Sequence, residues 1–240
     1  MNILDARTTD NTALNESVRA SSGNCSIIGC VGERFIGAGL SDKTIDISGT
    51  PGNALGAYLN GAKIIVHGNA QDAVGDTMNA GEIIVHGNAG DAPGYAMRGG
   101  KIYIKGNAGY RAGIHMKEYL GKLPVIIIGG RCGSFLGEYQ AGGLIVVLGL
   151  NNDGKRIVGN FPFAGMHGGK VFLRGRTDGV IFPDKVSART ATNEDITSVE
   201  SYIKEFCSVF GINADEVLSS PFTVVTPDSA NPYKRMYVEN

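Results

Sequence analysis

The chain has 240 residues, 36 of them glycine, and its 22 basic residues nearly balance its 23 acidic residues. Balanced charge argues against nucleic acid and anionic membranes as partners, because both attract a strongly basic surface. No apolar run approaches the ~20 residues needed to cross a bilayer, and the first residues lack a secretory pattern, so we expect a cytoplasmic protein without a membrane partner.

Residues 1–22 are polar and of mixed character, and they predict an N-terminal arm or cap with one short helix in LNESVR. Residues 23–180 carry a repeat and predict a solenoid. Its first coil runs from Cys25 to Leu40 and has one extra residue between its glycines. Terminal repeats are usually atypical because one of their faces lacks a neighbour.

Residues 41–116 hold four copies of one nineteen-residue repeat without an insertion. Each copy has a run of β-branched residues that alternates between two faces, followed by a glycine-rich arc with no helical period. A period near twenty indicates a solenoid, and the alternation makes it a β-solenoid. Two purely aliphatic columns predict the core: Ile45, Ile64, Ile83 and Ile102, and Ile47, Val66, Val85 and Ile104.

The glycines recur with the spacing G-x-x-G-x-x-x-G, and we interpret them as structural turn residues. A coil that reverses several times needs positive φ angles and close approach of backbones, both of which glycine permits. A phosphate-binding loop would need a helix after the glycines, whereas each arc leads to another strand. The predicted turn glycines are Gly49, Gly52, Gly56, Gly68, Gly75, Gly87, Gly90, Gly94, Gly106, Gly109, Gly113, Gly130, Gly133 and Gly137.

Two insertions interrupt the later coils. The step from Gly106 to Gly130 is 24 residues, with the excess in KEYLGKLP, and the step from Gly149 to Gly175 is seven residues longer than the repeat and contains LNNDGKRIVGNFPFAG. Loops on a rigid framework commonly carry function, so both insertions are candidates for partner contact.

Residues 181–240 predict a C-terminal helical appendage and an extended tail. An amphipathic helix is expected over TNEDITSVESYIKEFCSVFG, with Asn193 or Thr192 as its N-cap and Gly211 just past its end, and a short helix follows Asn213. The apolar face of the long helix is formed by Ile196, Val199, Ile203, Phe206 and Phe210.

One outward column of the solenoid is apolar from end to end, and contiguous apolar surface normally meets a partner. A helix over residues 195–210 would span ~24 Å, which matches about five coils at ~4.8 Å each. We therefore expect the helix to cover this stripe and the tail beyond Pro221 to contact another subunit; alternatively, the helix caps one end and the stripe is left for a partner. The stripe comprises Ile65, Ile84, Tyr103, Ile127, Val146 and Phe172.

Few residues suggest chemistry. His67 and His86 stack on adjacent coils, but their column supplies no third metal ligand. Asp72 and Asp91 also stack, and an aspartate at a turn normally caps its own backbone. We interpret Asn69, Asn88 and Asn107 as a structural ladder, the methionine column as core, and the cysteines as reduced and buried, because Cys25, Cys30, Cys132 and Cys207 lack a metal or iron–sulfur spacing.

The repeated glycine triplet, the phrases GNALGAYL, GDTM, GYAMRGGKI and GNAGYRAG, and GGLIVVLG followed by NFPFAGMHGG resemble the GXGXG domain of glutamate synthase over residues 23–180. The resemblance implies an all-β fold, a right-handed single-stranded β-helix of about seven to eight coils with a C-terminal helical appendage. Here it would stand alone, as in split, archaeal-type glutamate synthases. The β-helical subunit of formylmethanofuran dehydrogenase has similar repeats.

In a glutamate synthase-like complex, the resemblance implies that other subunits hydrolyse glutamine and form glutamate on FMN beside an iron–sulfur cluster. We expect this chain to be a non-catalytic structural subunit, with glutaminase-type and FMN-binding synthase subunits as partners and no catalytic, cofactor-binding or metal residue of its own. A homo-oligomer is also open. The alternatives are a scaffold of formylmethanofuran dehydrogenase or another multi-subunit oxidoreductase, and an acyltransferase with a hexapeptide solenoid, which would need a six-residue period that is absent.

Overall fold

The computed structural model describes residues 2–151 and 154–228, which form one continuous sheet and three α-helices. The helices are α1 (Asn11–Ala20), α2 (Asn193–Phe210) and α3 (Ala214–Leu218). The strands are β1 (Asn2–Asp5), β2 (Cys25–Val31), β3 (Thr44–Thr50), β4 (Asn60–Val66), β5 (Ala80–Val85), β6 (Gly100–Ile104), β7 (Pro124–Ile128), β8 (Ala141–Val147), β9 (Gly168–Arg174), β10 (Val186–Thr190) and β11 (Phe222–Pro227).

Strands β1 to β9 pair in chain order and in parallel, so that equivalent residues of successive coils lie side by side. Ile45 pairs with Ile64, and Ile64 pairs with Ile83. The all-β solenoid that the repeat predicted is thereby confirmed, with about seven coils. The extra residue of the first coil is a bulge in β2, where the pairing shifts between Ile27 and Cys30.

The core lies inside the coils, and both aliphatic columns predicted from the sequence are buried in it. The methionine column is also core, as Met78, Met97 and Met116 are fully buried. Gln140 interrupts this column: it is fully buried, its amide donates to the carbonyls of Gly142 and Gly143, and its Oε1 has no partner among the described residues. The three methionines pack well in the interior shared by successive coils, because a methionine side chain adapts to irregular space.

Different structures close the two ends of the core. At the start, the helix predicted at LNESVR is α1, which begins after the N-cap Asp10 and buries Leu14 and Val18. At the other end, residues 176–185 follow β9, and the ring of Phe182 stacks on Phe163 of the last coil at 6.0 Å. Both ends of the core are therefore covered by segments of the same chain.

The C-terminal strands run against the direction of the solenoid. β11 lies between β9 and β10 and is antiparallel to both. The expectation that the chain beyond Pro221 contacts another subunit is therefore wrong for residues 222–227, because their backbone bonds are used within this chain's own sheet; residues 229–240 lie outside the described residues. No helix in the described ranges combines the length and apolar character needed to cross a bilayer.

Candidate functional site

Each arc contains three residues with positive φ, spaced two apart, and the triplet recurs in seven successive coils. Left-handed backbone in non-glycine residues is uncommon, so its repetition shows that the stacking of coils imposes it. The middle members are Gly37, Gly56, Gly75, Gly94, Gly113, Gly137 and Phe163; the first members are Phe35, Ala54, Ala73, Ala92, Arg111, Phe135 and Phe161; the third members are Gly39, Tyr58, Thr77, Ala96, His115, Tyr139 and Gly165.

A side chain at the middle position would enter the core. A Cβ on Gly94 would lie 2.3 Å from Cδ1 of Ile126, two coils further on, and one on Gly113 would lie 2.4 Å from the same atom of Ile145. The last coil has no following isoleucine in that place, and there the position is taken by Phe163, which meets Phe182 instead. Glycine is therefore required at the middle position wherever an isoleucine of a later coil fills this space, which holds from Gly37 to Gly113.

Most of the other predicted turn glycines lie outside the left-handed region and make room for neighbours. A Cβ on Gly87 would lie 2.4 Å from Oδ1 of Asn69, the atom that accepts the N–H of Asn88 at 2.8 Å. Asn88 bonds the N–H of Asn107 in the same way, which fits the predicted ladder. Close approach to the preceding coil applies at Gly52, Gly68, Gly87, Gly90, Gly106, Gly109, Gly130 and Gly133, and also at Gly49, whose φ is +122°.

The stacked aspartates form a second ladder. Oδ1 of Asp72 accepts the N–H of Asp91 at 2.8 Å, and Asp91 does the same for Tyr110 at 2.8 Å. The expectation that these carboxylates cap their own turns is therefore wrong, because each one bonds the backbone of the following coil. The preceding step, from Asn53 to the N–H of Asp72, is longer at 3.3 Å, and there Gln71 stands in place of the glycine.

The predicted apolar stripe is covered by α2, as one of the two sequence alternatives proposed. Val199, Ile203 and Phe206 are fully buried against it, whereas Ile196 is only partly buried. α2 begins after the predicted N-cap Thr192 and ends at Gly211, which has left-handed backbone. The stripe residues in this second apolar cluster are Ile84, Tyr103, Ile127, Val146 and Phe172, with Ile65 partly buried at its edge.

A polar contact fixes α2 along the stripe. The hydroxyl of buried Tyr103 donates to Oε2 of Glu205 at 3.0 Å, and Lys101 bonds the other carboxylate oxygen. Burial first, and then the charge of Glu205, raises the pKa of Tyr103 well above its ordinary value. Burial opposes ionisation of Glu205, but the hydrogen bonds from Lys101 and Tyr103 outweigh it and lower the pKa of that carboxyl. The neutral phenol and the carboxylate therefore form a specific docking contact.

The N-terminus of α2 is held by a second polar cluster. Thr192 and Asp195 form a reciprocal capping box, and Arg189 of β10 bonds both carboxylate oxygens of Asp195, at 2.6 and 3.2 Å. The Arg189 hydrogen bonds, helped by those of Thr192, hold the pKa of this buried carboxyl far below its usual range. The cluster joins the start of α2 to the edge strand of the sheet.

The two stacked histidines face the other end of α2. The rings of His67 and His86 lie 5.2 Å apart, His67 contacts a carboxylate oxygen of Asp46 at 2.9 Å, and His86 meets the edge of Phe210 at 5.2 Å. Burial, and then the charges of His67 and Lys105, lower the pKa of His86. The pair thus packs beside the last turn of α2.

The described side chains of the types that bind metal ions do not cluster into a metal site. In the part of the chain that is described, no group of three or more histidine, cysteine, aspartate or glutamate side chains could hold a metal ion. All four cysteines are buried. Burial raises the pKa of the Cys30 and Cys132 thiols to about 12, which disfavours the thiolate that metals and electrophiles require.

Both insertions leave the solenoid at its arcs and expose apolar residues. KEYLGKLP turns back on itself through the pairing of Tyr119 with Lys122, and Leu120 at its tip is 81% exposed. The later insertion ends beside an apolar groove of about 220 Å³ that is lined by Phe161 and Ile181. Sequence reasoning identified both insertions but missed the groove, because Ile181 approaches from beyond the repeat.

The structure defines a class of protein: a β-solenoid with columns of glycine and a helix of its own that covers one face. The chain belongs to the GXGXG family, since the model of the GXGXG motif matches residues 5–228.

Two known proteins show how far the similarity reaches. An uncharacterized protein of Methanocaldococcus jannaschii is 43% identical over 215 residues, covering 86% of this chain and 82% of the relative. A chain in the X-ray structure of the formyltransferase/hydrolase complex of Methylorubrum extorquens, solved with methylofuran, matches with a TM-score of 0.63 and 23% identity, covering 83% of this chain and 71% of that one. At that identity the likeness is one of fold.

Proposed function

We propose that the chain is a non-catalytic structural subunit of a glutamate synthase-like complex, in which glutaminase-type and FMN-binding synthase subunits carry out glutamine-dependent glutamate formation. The observation that carries the proposal is the GXGXG match over residues 5–228, which takes in the solenoid and its helical cover together. FMN and the iron–sulfur cluster would lie in the partner subunits.

The placement of the polar and thiol groups supports a structural role. The asparagine and aspartate ladders are used in joining coils, and the Tyr103–Glu205 contact is used in docking α2. The raised pKa values of the buried thiols favour inert core cysteines over cluster ligands. What remains accessible are the arcs and insertions, the parts of a rigid scaffold that partners commonly contact.

The second candidate is a scaffold in an assembly of the formyltransferase/hydrolase kind, or in formylmethanofuran dehydrogenase or another multi-subunit oxidoreductase. The solved structure of the Methylorubrum extorquens complex favours it, because a chain of that complex shares this fold. Both candidates assign the chain a scaffold role and differ in the enzymes around it.

Reconstitution separates these functions. We expect the purified chain to be colourless and inactive alone, and glutamine-dependent glutamate formation by the two proposed partner subunits to require its addition. Flavin bound to the chain alone in stoichiometric amount, or activity of the chain without partners, would contradict a non-catalytic role. The tagged chain can also be purified by affinity to identify the subunits bound to it. Recovery of formyltransferase-type subunits, and not synthase subunits, would favour the second candidate.

A further inference from the structure

The last coil ends in an uncovered aromatic ring. In the first column of the left-handed triplets, the guanidinium of Arg111 lies 4.8 Å over the ring of Phe135, and that ring stacks on Phe161 at 5.5 Å. Each earlier member of the column has the next coil beside it. No further arc follows that of Phe161, the side chain of Phe182 covers Phe163 instead, and Phe161 is 67% exposed.

The groove beside this ring is apolar and rigidly built. Its walls are Phe161, Pro162 and Ala164 of the last arc, together with Ile181 and Pro183 of the segment that closes the core. Ile181 is 78% exposed. Because prolines restrict the backbone on both sides, little backbone entropy is lost when the groove is covered.

A cation lines the groove, and an anion directly follows one of its lining residues in the sequence. Arg156 lines it and donates to the carbonyl of Gly179 at 3.2 Å and to the amide oxygen of Asn160 at 2.9 Å, so neutral groups position this cation. Asp184, next to Pro183, is exposed. Among the described residues, neither Arg156 nor Asp184 has an ion-pair partner.

We propose that this surface, defined by Arg156, Phe161, Ile181 and Asp184, is the contact between two copies of the chain related by a two-fold axis. In such an interface the same patch meets itself, so each cation needs an anion from the same patch of the other copy. An apolar centre with a cation and an exposed anion beside it satisfies this condition: Arg156 of each copy pairs with Asp184 of the other. The proposal does not depend on which enzymes surround the chain.

Other surfaces suit self-association less well. The apolar stripe is already covered by α2, and α1 closes the opposite end of the core. The edge strand β10 is short and carries Arg189, which is hydrogen-bonded to Asp195. Short edge strands with charged side chains resist pairing with the edge of another sheet. Because the groove is small, we expect a dissociation constant on the order of micromolar.

Sedimentation equilibrium of the full chain, up to about 100 µM, tests the proposal. We expect a monomer–dimer equilibrium that Ile181→Asp weakens at least about tenfold, with the melting temperature as a check on folding. Leu120→Asp is the matched control, because it places the same charge on an equally exposed apolar residue outside the groove, in the insertion KEYLGKLP. Phe161→Asn, which suits left-handed backbone, is the second variant should Ile181→Asp fail to fold.

Charge reversal tests the pairing itself. Arg156→Asp and Asp184→Lys should each weaken the dimer, and the double variant should restore the wild-type dissociation constant to within about threefold. A wild-type chain that stays monomeric throughout overturns the proposal and leaves the groove to a different protein. A dimer insensitive to Ile181→Asp and Phe161→Asn, or a double reversal no better than either single one, also overturns it.

Discussion

At the scale of the residue, glycine is used in two distinct ways. The middle members of the arc triplets from Gly37 to Gly113 need glycine because left-handed backbone directs a Cβ at a core isoleucine of a later coil, as at Gly94. Others, such as Gly87, have ordinary backbone and leave space for an asparagine of the preceding coil. A single sequence motif therefore records two different steric constraints.

Replacing Gly94 by valine tests the first constraint. The new Cβ would lie 2.3 Å from Ile126 Cδ1 on a backbone with φ of +71°, so we expect a loss of several kcal/mol in the free energy of unfolding, about 3 or more. Denaturant unfolding measures it. Gly23→Ala is the control, because a Cβ there meets no atom within 4 Å; equal melting temperatures for both variants and wild type would refute the assignment.

Asp195 predicts a pH dependence. Its folded pKa is depressed by Arg189 and Thr192, so its stabilisation is present above the unfolded pKa of ~3.9 and is lost as the pH falls below it toward the folded value. We expect Asp195→Asn to cost about 1–2 kcal/mol at neutral pH and to show a flatter decline in stability between about pH 5 and 2. Asp178→Asn, which removes an exposed ion pair, should change neither property.

At the scale of the element, strands and helix ends could be predicted from the sequence wherever a repeat or a helix cap produces a short-range pattern. The aliphatic columns and the caps at Thr192 and Gly211 are short-range patterns, and the structure has them as predicted. The positive φ of Tyr58 and Phe135 carries no such signal, because stacking imposes it on residues that do not favour it. The pairing of β11 with β9 was likewise hidden, since the two strands are far apart in sequence.

The docking of α2 can be tested with a paired substitution. Val199→Asp together with Ile203→Asp places two carboxylates in a fully buried face, so we expect α2 to detach while the solenoid remains folded. Helical circular dichroism should fall and fluorescence of an apolar-surface dye should rise. Glu200→Ala with Lys204→Ala, on the exposed side of α2, is the control; unchanged dye binding in the aspartate variant would contradict the cover.

At the scale of the whole molecule, the coils are nearly interchangeable whereas the two ends are unique. Neighbouring coils are bonded to each other by strand pairing and by the two polar ladders. The helix α2 has 18 residues, ~27 Å, and extends from β10 to β5, six strand spacings or ~29 Å. The cover and the array are thus matched in length.

Deleting residues 79–97 removes one whole repeat and tests this modularity. Ile65 would then take the place of Ile84 beneath α2, and His67 the place of His86 beside Phe210, so we expect a folded, cooperative protein of reduced stability. Deleting residues 79–87, about half a repeat, should abolish folding because it breaks the register of every column. Thermal unfolding monitored by circular dichroism compares the two; equal loss of structure would contradict modularity.

The nineteen-residue step has a consequence for how such chains change over generations. A gain or loss of nineteen codons within the array adds or removes one whole coil and leaves the same kinds of contact between the coils that become neighbours. Insertions of five and seven residues instead lengthen single coils, and the strands that follow them pair in the regular register. Length and surface can therefore vary by separate genetic events, the first by whole units and the second by small insertions at the corners. Descendants of one ancestral array can differ in reach and in associates while every strand retains its neighbours.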